Sequence, residues 1–228
     1  MIQYTIILAL VTLISGVLAI FFSKANRLGS EAVNFIALFL HCLPAVGVFI
    51  VIRFTLFGLG IIPTPLHGFP NERLFPNDPI GFALSYLHFV SVPVISMVLV
   101  MIGGTFRELK ATMLDELGKP YIYALRARGI SEWRIQMLHA FKNCSVVFIL
   151  KIPALIITLF GYSILLEVIF RFPGGLGSLV FQAVEWRNAH LVLSSTMVIG
   201  AVTGLTMIIC DIIVAIIDPR IKYGRVKD

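Results

Sequence analysis

Apolar residues along this chain fall into blocks that are too long and too continuous for the core of a soluble fold. Residues 2–22, 32–56, 84–106, 144–170 and 191–217 each contain about 20 or more mostly apolar positions, which is the length a helix needs to cross a hydrocarbon layer of ~30 Å. Lipid offers no hydrogen-bond partner to an open backbone, so the spans must be helices. A membrane barrel would instead show short alternating segments. The pattern predicts an all-α integral membrane protein with about five transmembrane helices, forming one membrane domain over residues 1–228. Residues 2–22 lack the basic start of a signal peptide and exceed its usual apolar length, so they are read as a span. Pro44, Pro93 and Pro153 fall inside three spans, and each removes a backbone donor and predicts a kink.

The polar connections are uneven. Segments 23–31, 107–143 and 218–228 carry thirteen Lys/Arg, against three in segments 57–83 and 171–190. This bias predicts a cytoplasmic C-terminus and central loop, with Met1 outside. Segment 57–83 holds Pro63, Pro65, Pro70, Pro76 and Pro79 and reads as an ordered, non-helical loop. Segment 171–190 contains Pro173-Gly174-Gly175-Leu176-Gly177 and is also read as a loop. Its glycines permit left-handed backbone and close approach of a neighbouring chain. In the central stretch, 108–117 continues the third span as a helix and Gly118 ends it. Pro120 then opens a short helix over 120–128 that closes at Gly129, and Ser131 can cap the helix that leads into the fourth span. Two short helices hinged by Gly129 make a compact elbow.

Composition narrows the possible functions. With 58% hydrophobic and 13% charged residues, the chain has too few charges to cover a soluble globule. The net charge of +6 is explained by the loop bias and does not indicate nucleic acid as a partner. Cys42, Cys144 and Cys210 sit in or at the ends of three different spans, without metal or CxxC spacing, and read as packing residues. Gly118-Lys119 is followed by proline and lacks the upstream glycine of a phosphate loop, and neither HExxH nor GxSxG occurs. No cofactor or metal site is expected, and any ATP chemistry belongs to a partner.

At the elbow the words become specific. Tyr121-Ile-Tyr-Ala-Leu-Arg-Ala-Arg-Gly-Ile130, followed by His139-Ala-Phe-Lys-Asn143, resembles the EAA loop of binding-protein-dependent ABC importer permeases, in the form seen in the oligopeptide/dipeptide/nickel family. Glu167-Val-Ile-Phe170, then Pro173-Gly174-Gly175-Leu176-Gly177, Asp211, and the closing Asp218-Pro219-Arg220 follow in family order. Leu59-Gly-Ile-Ile-Pro63 resembles the family's outer loop. The departures are Leu125 for alanine, Pro120 for an acidic residue, and Asn188–His190 for Asp-x-Pro. The resemblance implies one more span and a sizeable external segment in the family, so this chain corresponds to it from the second span onward. It also implies a prokaryotic plasma-membrane protein that pairs with a second permease subunit, offers its elbow to cytoplasmic ATPases and receives cargo from an extracytoplasmic solute-binding protein. Tyr121, Ala124, Leu125, Arg126, Arg128 and Gly129 become the candidate ATPase-coupling residues.

Read from the residues alone, Tyr121, Ala124, Leu125 and Arg128 recur at helical spacing on one face. That face can dock on a partner or lie against the protein's own helix ends. Ile122 falls on a different face and is expected to matter less. Arg126, Arg128 and Arg134 can also hold anionic lipid heads. Arg53, Glu167, Lys151 and Asp211 lie near span ends and are expected to snorkel to the interface. His41 lies three residues before Pro44, where it can bond the freed carbonyl or line a pathway. With His67, His88 and Met97 it raises nickel as a cargo, without ligand spacing. Two other classes stay open: a secondary transporter or channel, which calls for mid-span charges and inverted repeats, and a non-transporting scaffold.

Overall fold

The computed structural model describes residues 2–22, 27–59, 79–170 and 175–217. Among them the chain forms α1 (Ile2–Phe22), α2 (Arg27–Cys42), α3 (Ala45–Gly58), α4 (Pro79–Leu117), α5 (Pro120–Ala127), α6 (Glu132–Arg134), a π-helical turn (Ile135–Ala140), α7 (Phe141–Ile169), α8 (Leu176–Glu185) and α9 (Ala189–Ile217). Among the described residues four helices are long and apolar enough to cross a membrane, or up to five if the bent pair α2–α3 counts as one span. Pro63, Pro65, Pro70, Pro76, His67, Pro173, Gly174, Asp218, Pro219 and Arg220 lie outside the described residues.

The 39-residue α4 is the axis of the bundle and packs against α1, α2, α3 and α7. Its span is 61% buried, against 11% for α9, which leans on α7 and α8 and exposes most of its apolar surface. The main core gathers Ile7 and Val11 from α1, Phe49 from α3, Met97 from α4 and Leu166 from α7. Some hydroxyls within the spans bond their own helix, as Ser96 does to the Val92 carbonyl at 2.7 Å and Thr105 to that of Met101 at 2.9 Å. These bonds meet the hydroxyls' needs without a cross-helix partner. A smaller cluster at one end joins Ile20, Met113, Leu117, Ile122, Ile135, Ala140 and Cys144, and it places the elbow.

Several expectations are refined here. Residues 32–56 form a bent pair rather than one continuous helix: the chain breaks at Leu43-Pro44 and resumes at 94° to its first half. Pro44 removes one bond, and the packing of α2 and α3 on α4 turns that gap into a corner. Pro93 and Pro153 leave α4 and α7 continuous. Segment 171–190 is not simply a loop, because α8 lies within it. The helix after Ser131 leads into the fourth span as expected; α6, the π turn and α7 run on as one 38-residue rod, Glu132–Ile169. Ser131 occupies the cap position without a side-chain capping bond. Cys144 and Cys210 are buried as expected, and Cys42 is exposed.

Candidate functional site

The elbow consists of a helix stop, a helix start and a reversal. Gly118 donates to the Leu114 carbonyl at 3.1 Å and ends α4. Pro120 opens α5, where its missing N–H has no helical partner to lose. At the far end Gly129 donates to Arg126 at 2.9 Å and Ile130 to Leu125 at 3.3 Å, with Gly129 at φ +73°. This double closure needs a left-handed residue, which only glycine adopts without steric cost. Leu125 and Ile130 both pack onto the elbow cluster and complete the motif's apolar contact.

Glu116, the last polar residue of α4, ties three segments together. Its carboxylate accepts a hydrogen bond from Tyr121 Oη at 2.7 Å and one from Asn143 Nδ2 at 2.8 Å, and it pairs with Lys119. Asn143 Nδ2 also reaches Tyr121 Oη at 3.1 Å. The side chains therefore bolt α5 to the end of α4 and the start of α7. Burial, and then the bond to Glu116, push the Tyr121 phenol up from 10.0 to about 12. The same carboxylate holds the Lys119 ammonium above the usual lysine range. Across the Gly129 reversal, Arg126 Nε meets Glu132 Oε1 at 2.7 Å, which raises the Arg126 pKa further. Its guanidinium also lies 5.6 Å from the Tyr123 ring centroid.

These contacts divide the proposed docking face. Tyr121 and Leu125 turn toward the chain's own helices, and Arg126 is engaged with Glu132. Tyr123, Ala124, Ala127 and Arg128 are left exposed on the outer side. Ile122 does fall on a different face, the inward one: it is fully buried in the cluster shared with α4 and the π turn and anchors α5. An eight-residue helix lying on a surface has one inward line, and spacing alone does not say which. Sequence reasoning missed Glu116 and Glu132. The available signal was a carboxylate one turn before a Gly-Lys-Pro break and another just after the Gly129 reversal. His139 sits half-buried in the π turn, a helical irregularity that recurs at functional sites.

The opposite end holds the second group of motif residues. Glu167 does not snorkel; it is 1% exposed and accepts the Ser178 N–H at 2.6 Å, capping the first turn of α8. A Cβ on Gly175 would fall 2.1 Å from that carboxylate, and one on Gly177 would fall 2.6 Å from the Ser163 backbone. The glycines therefore serve close approach. Gly175, at φ −84°, is not left-handed. Arg53 donates to the Ile169 carbonyl at the end of α7, and Lys151 pairs with Glu108 of α4. Neither is a free snorkelling cation. Asp211 lies half-buried in α9.

His41 sits in the last turn of α2, just before the proline break, and packs on α4. Its ring lies on Gly104, with Nδ1 2.8 Å from where a Cβ would stand.

The geometry defines a multi-pass helical membrane protein with a short helix braced across the ends of two of its long helices. Residues 2–223 match the family of binding-protein-dependent transport system inner membrane components, and the chain belongs to that family. It is 31% identical over 158 residues to a putative peptide transport system permease protein of Brucella abortus (strain 2308), covering 68% of this chain and 48% of that protein. It is 30% identical over 184 residues to the oligopeptide transport system permease protein AmiC of Streptococcus pneumoniae, covering 81% of this chain and 34% of AmiC. The matched region spans about half, or less, of these curated relatives.

Proposed function

We propose that this chain is a permease subunit of an ABC-type importer. It forms part of a pathway for peptides or similar small solutes, with α5 as the element that couples to a separate ATPase. The observation that carries this reading is α5 itself. It is a rigid helix clamped by Glu116, Asn143 and Ile122 to α4 and to the rod leading into α7, yet it presents Tyr123, Ala124, Ala127 and Arg128 outward. A push on that face is delivered to two membrane helices at once. Family membership and the names of the relatives support peptide cargo, a second permease, ATPases and a solute-binding protein as partners. Arg53 and Lys151 are bonded within the fold and Glu167 caps α8, so these three charges serve structure and do not by themselves call for a secondary transporter.

Co-expression with ABC ATPases from the same genome tests this reading. Ala124→Asp and Arg128→Glu should leave the bundle folded while reducing ATPase co-purification and peptide uptake together. Retention of both activities would remove α5 as the coupling element. We further propose a cytoplasmic elbow and C-terminus. In a cysteine-less background, Trp186→Cys should react with an impermeant reagent in intact cells and Lys119→Cys should not; the reverse pattern inverts the topology.

A further inference from the structure

Away from the elbow face, a groove of about 650 Å³ runs between α2 and α4. Asn34, Phe35, Leu38 and His41 line one wall, and Arg107 and Lys110 line the other. The helices meet at its deep end. A Cβ on Gly103 would fall 2.4 Å from the Ala37 carbonyl, and the His41 ring covers Gly104. From Gly104 the lining continues to Leu114, ~15 Å along the helix at 1.5 Å per residue.

Among the described residues, neither Arg107 nor Lys110, the two cations lining this groove, forms an ion pair. Glu108 lines it, but its carboxylate is taken by Lys151 of α7. Lys110 is 2% exposed and donates to Ser30 Oγ at 2.6 Å and to the Ser30 carbonyl at 3.2 Å. These are two dipoles and no carboxylate, and the Phe106 ring, 5.7 Å from Nζ, adds a weak cation–π contact but no counter-charge. The exposed Arg107 guanidinium forms no ion pair among the described residues. A buried lysine beside an unpaired arginine favours an arriving anion, because each cation otherwise bears a desolvation cost without a counter-charge.

The order of residues along the groove identifies the anion's source. Arg107 and Lys110 stand where the apolar block 84–106 ends, which is the depth of a lipid phosphate. The walls that flank them carry large apolar side chains open to the outside, with Phe35 71% and Leu38 40% exposed. A soluble anion has no use for those walls, whereas a phospholipid has both a phosphate and a chain. We propose that this groove is a binding site for one phospholipid with an anionic headgroup, its phosphate held by Arg107 and Lys110 and its acyl chain lying along Phe35 and Leu38. This site is independent of the coupling role assigned to α5.

Two experiments test it on the assembled complex. In nanodiscs of phosphatidylcholine containing photoactivatable phosphatidylglycerol, crosslinks mapped by mass spectrometry should fall within 34–41 and 104–114. Crosslinks confined to other surfaces overturn the site. In native mass spectrometry, Arg107→Gln should lower retained phosphatidylglycerol by about fivefold, the worth of one basic residue at an anionic surface, while Arg128→Gln should not. Equal retention in Arg107→Gln and wild type overturns the proposal. So does displacement of the lipid by inorganic phosphate or a dipeptide at concentrations that leave the complex intact, because the groove would then hold a soluble anion.

Discussion

Glu116 and Glu167 are both buried carboxylates at the ends of long helices, 6% and 1% exposed, and each holds a shorter helix in place. Their partners differ in kind. Glu116 is met by the side chains of Lys119, Tyr121 and Asn143, which come from both sides of the elbow. Glu167 is met by the backbone of α8, and its Oε1 has no hydrogen-bond partner among the described residues. A joint made of side chains can loosen one contact at a time, as suits the coupling role proposed for α5. A joint made of backbone and touching glycines holds or fails as a unit. The two reversals differ in the same sense: both short helices close with the same pair of backbone bonds, but the left-handed residue is Gly129 after α5 and Arg187, at φ 51°, after α8.

The largest effect should come from Gly177→Val. Its Cβ would meet the Ser163 carbonyl, so α8 must leave α7 at a cost of about 3 kcal/mol. The folded yield in detergent-solubilised membranes, followed by size-exclusion chromatography, should fall sharply; an unchanged profile would mean that the α7–α8 contact is slack. Next in size is Glu116→Ala, which leaves the Tyr121 hydroxyl and the Asn143 amide without their acceptor, at about 2 kcal/mol. Hydrogen exchange should rise over 118–131 and not over 176–185. Equal acceleration at both ends would show that the two joints are one cooperative unit.

Gly129→Val should cost about 1–2 kcal/mol through its left-handed φ. Arg187→Gly should stabilise by a smaller amount, because it relieves the same strain. Paired thermal melts of the two variants, one lowered and one raised, check this sign reversal.

The smallest effect is set by pH. The folded state raises the Tyr121 pKa to about 12, so the neutral phenol's contribution is fully present below its ordinary 10.0 and is lost as pH climbs from there toward 12. The exchange rate of α5 should rise across that window, and Tyr121→Phe should abolish the rise. A rise that persists in the phenylalanine variant would assign the titration to another group.

Much of this was legible in the sequence because hydrophobicity and turn chemistry are local. The long apolar blocks, the stop at Gly118, the start at Pro120 and the left-handed turn at Gly129 all follow from residues within a few positions of each other. Tyr121 and Asn143 were singled out by resemblance, but the group that joins them was not, because Glu116 is 27 residues from Asn143 and nothing local marks them as partners. The anchoring role of Ile122 stayed hidden for a related reason. Helical spacing sorts residues into faces, and only the position of α4 and the π turn says which face is inward.

By itself, then, the sequence determined the chemistry of each segment: which stretches must leave water, where the helices must end, and which glycine has to carry a positive φ. Tertiary structure decided everything that required two distant segments to meet. It set the 94° corner at Pro44, the folding of α8 beneath Glu167, the inward turn of Ile122, and the choice of Glu116 as the joint of the elbow. The physical reason is that burial and hydrogen-bond satisfaction belong to pairs of surfaces. A residue's own neighbours in the chain supply only one member of each pair.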